Sequence, residues 1–371
     1  MLNMNILAVE TSCDETALAI VRADGGLQNP HFEIVGELVS SQIDVHKEFG
    51  GVVPTLAKRE HLKNLPVLYK KLFKTSPVGI EEIDMIAVTV GPGLEPALWT
   101  GINEAQRIGK EHDIPIVGVN HMHGHMYSFL LSGNIKTADV FPMVALLVSG
   151  GHTIIISMDS LQNYRVLGET RDDAVGESFD KVARLLGIPY PGGPAIEKLA
   201  DKGDSHAIAF PSTMLHEKGY DTSFSGLKTA VLYYMREQDA NTQINANQQM
   251  TANKKEKMWK MGEYKLSDKE RANIAASFQY AAFNALTRKT ARAAKNIGAR
   301  AVTIGGGVSA NKKLHKILLK RLDEDGCSDV KIITPPINYC MDNAAMIGVA
   351  GYITSLRGLS YPLEADGVLG V

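Results

Sequence analysis

Two histidines four residues apart, in His121-Met122-His123-Gly124-His125, are the first residues of this 371-residue chain whose spacing suggests chemistry. On a helix they share one face and can hold a metal ion between them. His123 lies two residues from each and points elsewhere. The protease pattern His-Glu-x-x-His is absent, because Met122 stands where the general-base glutamate belongs. Histidines at this spacing are also common without a metal, so a third ligand decides the matter. Asp342, in Asn338-Tyr339-Cys340-Met341-Asp342-Asn343-Ala344, just precedes an apolar helix and is the candidate from a distant part of the chain. Two imidazoles and one carboxylate leave coordination positions open to a substrate.

The elements that must position these residues alternate between strand and helix. Asn5–Val9 and Ala17–Val21 read as buried strands around the polar turn Glu10-Thr11-Ser12-Cys13-Asp14-Glu15-Thr16, which can face a phosphate or its metal. Glu37–Ser41 begins a third strand, His46–Gly51 a loop, and Pro54–Phe73 has helical periodicity. A strand over Ile83–Val90 ends at Gly91-Pro92-Gly93. After it come a helix over Leu98–His112 and a strand over Ile114–Asn120. The histidine pair therefore opens a helix at a strand's C-terminal end, where open α/β sheets gather ligands. Met143–Ser157 repeats the opening plan of strand, small polar turn and strand around Ser149-Gly150-Gly151. Two such hairpins imply a duplicated, two-lobed architecture.

Further on, Asp180 and Glu197 flank the glycine loop Pro191-Gly192-Gly193-Pro194, and carboxylates so placed suit ribose hydroxyls. Residues 237–265 are rich in Asn, Gln, Lys and Thr with little periodicity, and read as a solvated insertion in which Trp259 and Met261 could dock. A helix is expected over Ile274–Asn296. Ala301–Ile304 then delivers Gly305-Gly306-Gly307 and Asn311 into a helix over Lys312–Asp323, a means of placing a phosphate beside backbone amides. Its spacing fits neither the dinucleotide fingerprint nor the Walker loop. Ala344–Leu356 is a final apolar helix, expected to cross back to the first lobe.

Composition bounds the rest. Hydrophobic content of 44% and charged content of 22% describe a globular chain long enough for two domains. No apolar run is long enough for a bilayer, no leader is visible, and three scattered cysteines fit a reducing, cytoplasmic setting. A net charge of −2 gives no long-range pull on nucleic acid, so an RNA partner would need local basic patches or a helper subunit. Arg288, Lys289, Arg292 and Lys295 form one basic stretch; Lys312, Lys313, Lys316, Lys320 and Arg321 form another. Solvated helix faces explain either, and the second more readily.

Nine segments in this order resemble one family: Glu10–Thr16, Gly50–Pro54, Gly91–Leu94, His121–His125, Leu147–Thr153, Tyr190–Pro194, Ser223–Thr229, Gly305–Asn311 and Asp342–Ala344. The family is that of the tRNA threonylcarbamoyladenosine transferases, once known as O-sialoglycoprotein endopeptidases, and the resemblance runs from about residue 5 to about residue 356. It implies the α/β, two-lobed actin-like ATPase (ASKHA) fold. The implied division is an N-terminal lobe over 1–139, completed by the crossing segment 344–371, and a C-terminal lobe over 140–343. The implied activity is transfer of threonylcarbamoyl from threonylcarbamoyl-AMP to the exocyclic amine of the adenosine just after the anticodon, in tRNAs reading codons that begin with A. His121, His125 and Asp342 would bind Fe2+ or Zn2+. Leu147, Val148, Ser149, Gly150, Gly151, Asp180, Gly193, Glu197 and Asn311 would hold the adenylate, and Asp14 matches a residue important for activity. Bacterial relatives also imply an inactive paralogous subunit, a small ATPase and a separate synthase for the adenylate. This chain departs from them at His123, where Glu is common, and at Met341, where Thr is common. A small-molecule kinase on the same fold, a metalloprotease and a nucleotide-driven scaffold are the competing readings.

Overall fold

A computed structural model describes residues 3–133, 135–215, 217–246 and 266–371, with backbone only over 239–246. The first sheet is built from β1 (Met4–Glu10), β2 (Glu15–Asp24), β3 (His31–Ser41), β4 (Met85–Gly91) and β5 (Ile116–Asn120), in the order β3-β2-β1-β4-β5. The second holds β6 (Met143–Val148), β7 (Thr153–Met158), β8 (Tyr164–Glu169), β9 (Ala301–Gly305) and β10 (Lys331–Ile333), in the order β10-β9-β6-β7-β8. In each, the first three strands form an antiparallel meander and the last two run parallel to the first. The two sheets thus share one topology, as the repeated hairpins lead one to expect.

Helices cover the sheets in layers. α1 (Ile43–His46) is a single turn, α2 (Pro54–Thr75) and α3 (Glu95–His112) cover one face of the first sheet, and α4 (His121–Tyr127) comes directly after β5. α5 (Val175–Leu185), α6 (Gly192–Ala200), α7 (Ser225–Ala246), α8 (Asp268–Ile297) and α9 (Lys312–Glu324) lie beyond the second sheet, while α10 (Ala344–Leu356) packs on β1, β2, β4 and β5. The strands read as continuous apolar runs because both of their faces are buried. Leu7 and Val9 join the α2–α3 core, whereas Ile6 and Ala8 face a central layer with Met122, Met126 and Ile347. Leu147 reaches that same layer from the second sheet, and Leu146 and Val148 turn toward Phe179 and Phe283. The period-two alternation of strands therefore seats α4 and α10 between the sheets.

Several local expectations are corrected. Residues 237–246 do not belong to a loose insertion: α7 continues through them to Ala246. Leu227, Val231 and Met235 anchor its first turns in the core, and its later turns contain no Gly or Pro to interrupt them. Residues 247–265, with Trp259 and Met261, lie outside the described residues. Gly192 and Gly193 open α6 instead of forming a loop, and His46 closes α1 instead of starting one. α8 starts earlier than its apolar pattern suggests, because Ser267 and Glu270 form a reciprocal cap in which each backbone N–H meets the other's side chain (3.3 and 2.8 Å).

Candidate functional site

The segments leaving the C-terminal ends of β1, β5, β6 and β9 carry Asp14, His121, His125, Ser149 and Asn311, while Asp342 follows β10 and Asp180 and Glu197 lie on α5 and α6. Asn120 ends β5 and caps α4, its side-chain oxygen accepting the Met122 N–H at 2.8 Å. This starts the helix at His121 and stacks His125 one turn later, with ring centroids 4.7 Å apart. Asn343 caps α10 in the same way through Met346 N–H (2.8 Å) and donates to the carbonyl of Met341 (2.7 Å), fixing Asp342 between them. Asp342 Oδ1 lies 3.0 Å from His125 Nε2 and 3.5 Å from His121 Nε2. Ligand atoms from all three residues fall within 4.8 Å of one another.

The donor set fits a cation. Glu10, fully buried at the end of β1, accepts hydrogen bonds from Ser12 N–H (2.5 Å) and Thr89 Oγ1–H (2.6 Å), and its Oε2 sits 3.1 Å from His121 Nδ1. Burial works to raise the Glu10 carboxyl, but His121 keeps it below its usual range, so it is an acceptor only. With a metal bound, the proton of His121 would stay on Nδ1 toward Glu10 and leave Nε2 to the ion, the carboxylate–histidine arrangement that orients metal ligands. Without a cation, burial of His121 opposes its charge, yet Asp342 and Glu10 push it up to about 9. Burial would likewise raise Asp342, but His121 and His125 hold it well below the carboxylate range. A negative hole of this kind is filled either by a proton or by a metal. His125 lacks such support, since its buried Nδ1 has no hydrogen-bond partner among the described residues.

His123 turns away from the pair. Its Nε2 meets the Tyr164 hydroxyl at 2.7 Å, and its ring packs beside Tyr127, Tyr164 and Tyr361. It competes for no metal, as its position on the helix requires. Met341 is half exposed, with its sulfur against Gly307.

Asp14 sits in the turn between β1 and β2. Its carbonyl accepts the Gln42 N–H (2.9 Å), and the neighbouring Cys13 carbonyl lies 3.0 Å from His61 Nε2 on α2. Asp14 Oδ2 is buried and has no partner among the described residues. Its charge is felt by Asp180 and Tyr190, which places it toward α5 and α6.

The remaining residues surround the other side. Leu147 and Val148 end β6 inside the core, and Ser149, Gly150 and Gly151 form the turn into β7. Nothing lies within 4 Å of a Cβ built on Gly150, Gly151 or Gly193, so these backbones are open to a ligand. Asp180 Oδ1 accepts Gly192 N–H (2.7 Å), and Glu197 Oε1 accepts Lys312 N–H (3.1 Å). Burial raises both carboxyls. Asn311 caps α9 through Lys313 N–H (2.9 Å) and donates to Gln279 (2.9 Å). Asp180 and Asn311 thus align helix starts, a role that spacing alone could not separate from ligand contact. Gly306, at φ +89°, would put a Cβ 2.4 Å from the Val148 carbonyl, so only glycine fits there.

Three groups carry no role in the sequence reading. Glu10 orients His121. Glu15 is pushed well up by burial and by Asp342 and Asp14. His152 is pushed down to about 4 by burial and by His121 and His125, so it faces the pair as a neutral imidazole. A buried acid at a strand end and a histidine closing a glycine turn were the available signals.

A duplicated sheet with glycine turns at matching strand ends, and two imidazoles with a carboxylate beside them, defines an actin-like ATPase-fold protein with a candidate metal centre. The crystal structure of T. kodakarensis HypF shares this fold, with a TM-score of 0.56 at 14% identity over 96% of this chain and 48% of that one. A family model described as tRNA N6-adenosine threonylcarbamoyltransferase matches residues 33–349. Proteins of that name from Thermosipho africanus and Bacillus subtilis are each 41% identical, over 358 and 369 residues, covering 96% and 100% of this chain and 96% of each relative. The chain belongs to the tRNA N6-adenosine threonylcarbamoyltransferase family.

Proposed function

We propose that the chain transfers a threonylcarbamoyl group from threonylcarbamoyl-AMP to the exocyclic amine of the adenosine just after the anticodon in tRNAs reading codons that begin with A. The observation that carries the reading is the meeting of His121 and His125 with Asp342 beside open glycine turns, in a chain of this family. The amine attacks the carbamoyl carbon, a C–N bond forms, the bond from that carbon to the phosphate oxygen breaks, and AMP departs with the electron pair. His121, His125 and Asp342 would hold a divalent cation, Fe2+ or alternatively Zn2+, which would supply Lewis-acid stabilisation of the charge developing on the carbamoyl oxygen. Glu10 holds His121 in the required tautomer. Backbone amides of Gly150 and Gly151 cradle the phosphate, Leu147, Val148 and Ser149 shape that turn, and Gly193 with Glu197 lines the ribose side. Asp180 and Asn311 hold α6 and α9 at that site. Asp14 Oδ2 accepts the proton that the amine loses.

Residues 1–139 with 344–371 act as one lobe and 140–343 as the other, with substrate between them. tRNA is the macromolecular substrate, an inactive paralogue and a small ATPase are partners, a separate synthase supplies the adenylate, and the setting is cytoplasmic. No helix among the described residues is long and apolar enough to cross a membrane. The test is a reconstituted reaction of chain, partners, adenylate and tRNA, read by nucleoside mass spectrometry. Modified adenosine is expected, reduced about 100-fold or more in Asp14→Asn with metal content unchanged. Full activity in that variant removes Asp14 from proton transfer. No product from the wild type, with every partner active, reopens the kinase and scaffold readings.

A further inference from the structure

The two basic stretches of the sequence differ in how many of their cations the fold engages. In the first, Lys289 is buried and donates to the Gly219 carbonyl (3.2 Å), while Arg292 donates to the carbonyls of Glu217 and Gly219 and lies over the Tyr220 ring. Those two cations hold a loop, whereas Arg288 and Lys295 of the same stretch are exposed. In the second stretch, on α9, every lysine is exposed, as the sequence leads one to expect. Lys312, Lys313, Lys316 and Lys320 are exposed, and Lys313 and Lys316 have no acidic partner among the described residues. Arg321 and Lys320 share Glu324.

A solvated helix face is a poor account of this pattern. α9 has no acid in its first turn, although that end carries the helix's positive partial charge. Lys312, Lys316 and Lys320 recur at four-residue intervals, where like charges repel. The row also sits on a chain whose net charge is −2. Lys313, Lys316, Lys320 and Arg321, with Glu324, line a cavity of about 360 Å³ between α8 and α9, at whose wall the rings of His206 and Tyr280 lie 4.8 Å apart. A second cavity, of about 580 Å³, is lined by Lys198, Lys202 and Lys269 with Asp268, and by Arg271, which donates to the Leu186 carbonyl. Residues 203–204 pass close over α8 there, with Asp204 N–H donating to the Asn273 side chain (2.9 Å). From Lys269 to Tyr280 the helix rises about 16 Å, roughly five nucleotides at about 3.4 Å each.

We propose that this track along α8 and α9 docks the phosphate backbone of the tRNA, with a base stacking on the Tyr280–His206 pair. The inference rests on the transferase reading and adds to it the surface that holds the substrate. The track starts beside the site, because Lys312 N–H is bound by Glu197 and Lys313 N–H by Asn311. RNA lying in it is therefore held next to the adenylate pocket.

The test compares the wild-type chain, assembled with its partners, with the triple variant Lys313→Gln, Lys316→Gln, Lys320→Gln and the corresponding triple Arg variant. Binding of an unmodified tRNA transcript is titrated at several salt concentrations, beside product formation, adenylate affinity, partner association and thermal midpoint. The Gln variant is expected to bind tRNA about tenfold or more weakly, with the slope of log Kd against log salt smaller by about 2 to 3. Adenylate affinity and partner association stay at wild-type values, and the Arg variant binds tRNA normally. Should the triple variant not fold, Lys316→Gln alone is expected to lower the slope by about 1. Unchanged tRNA affinity and slope, while the wild type still makes product, overturns the docking surface and leaves the transferase standing. Loss of a partner protein with tRNA affinity intact identifies the track as a protein contact and overturns the proposal equally. A wild type that makes no product is the separate failure of the transferase reading.

Discussion

At the residue scale, what a side chain does here depends more on its buried neighbour than on its own type. Three histidines occupy five positions of α4, and each has a different fate. His121 is backed by Glu10, His125 has no such backing, and His123 is enclosed by tyrosines. Glu10→Gln keeps the shape and removes the charge that orients His121, so metal affinity is expected to fall about 10- to 100-fold, measured by chelator competition. Unaltered affinity would leave Glu10 a purely structural acid. His123 yields a pH prediction. Burial, then the charge of Arg357, push it from 6.5 down to about 4. The folded state thus resists a proton that the unfolded chain accepts below about 6.5. Its contribution to stability is complete above pH 6.5 and is lost as pH falls toward 4, by up to about 3 kcal/mol. Urea midpoints should show a flatter acid limb in His123→Gln than in the wild type, and identical limbs would refute the assignment.

At the element scale, the turns between strand and helix do the positioning. β9 ends in glycines because its backbone must pass between two others: a Cβ on Gly305 would sit 2.5 Å from the His125 carbonyl, and one on Gly306 against that of Val148. The turn therefore ties the histidine helix to the end of β6, where Ser149-Gly150-Gly151 begins. Gly306→Ala is expected to destabilise the fold by about 1–3 kcal/mol through its left-handed φ and this clash, and to weaken adenylate binding more than metal binding. Calorimetry with each ligand separates the two effects, and equal affinities for both would show that the turn tolerates a side chain. Much of this layer was legible in the sequence. The histidine pair does open a helix at the end of β5, and α10 matches its apolar run from Ala344 to Leu356 residue for residue. The edge strands β8 and β10 were not, since Tyr164–Glu169 is half exposed and Lys331–Ile333 has three residues. Strands that short and wet are made by their neighbours rather than by their own pattern.

At the scale of the whole molecule, duplication organises the site. Two hairpins of like plan foretold two sheets of like topology, and the site lies where their strand ends meet. Asp342 was legible as a partner of His121 and His125 because the family motifs place it so. The supporting acid Glu10, the neutral His152 and the anchoring of Lys289 and Arg292 were not, because each depends on which distant backbone lies opposite. The central claim is that one ion held jointly by both parts of the chain drives the transfer. Its most direct test measures metal content and product formation together on wild type and Asp342→Asn, each purified without metal and reloaded under reducing conditions. We expect one ion per wild-type chain, weak loading of the variant, and product at least about 100-fold slower in it. Wild-type product rates from a chain shown to carry no metal would contradict the account.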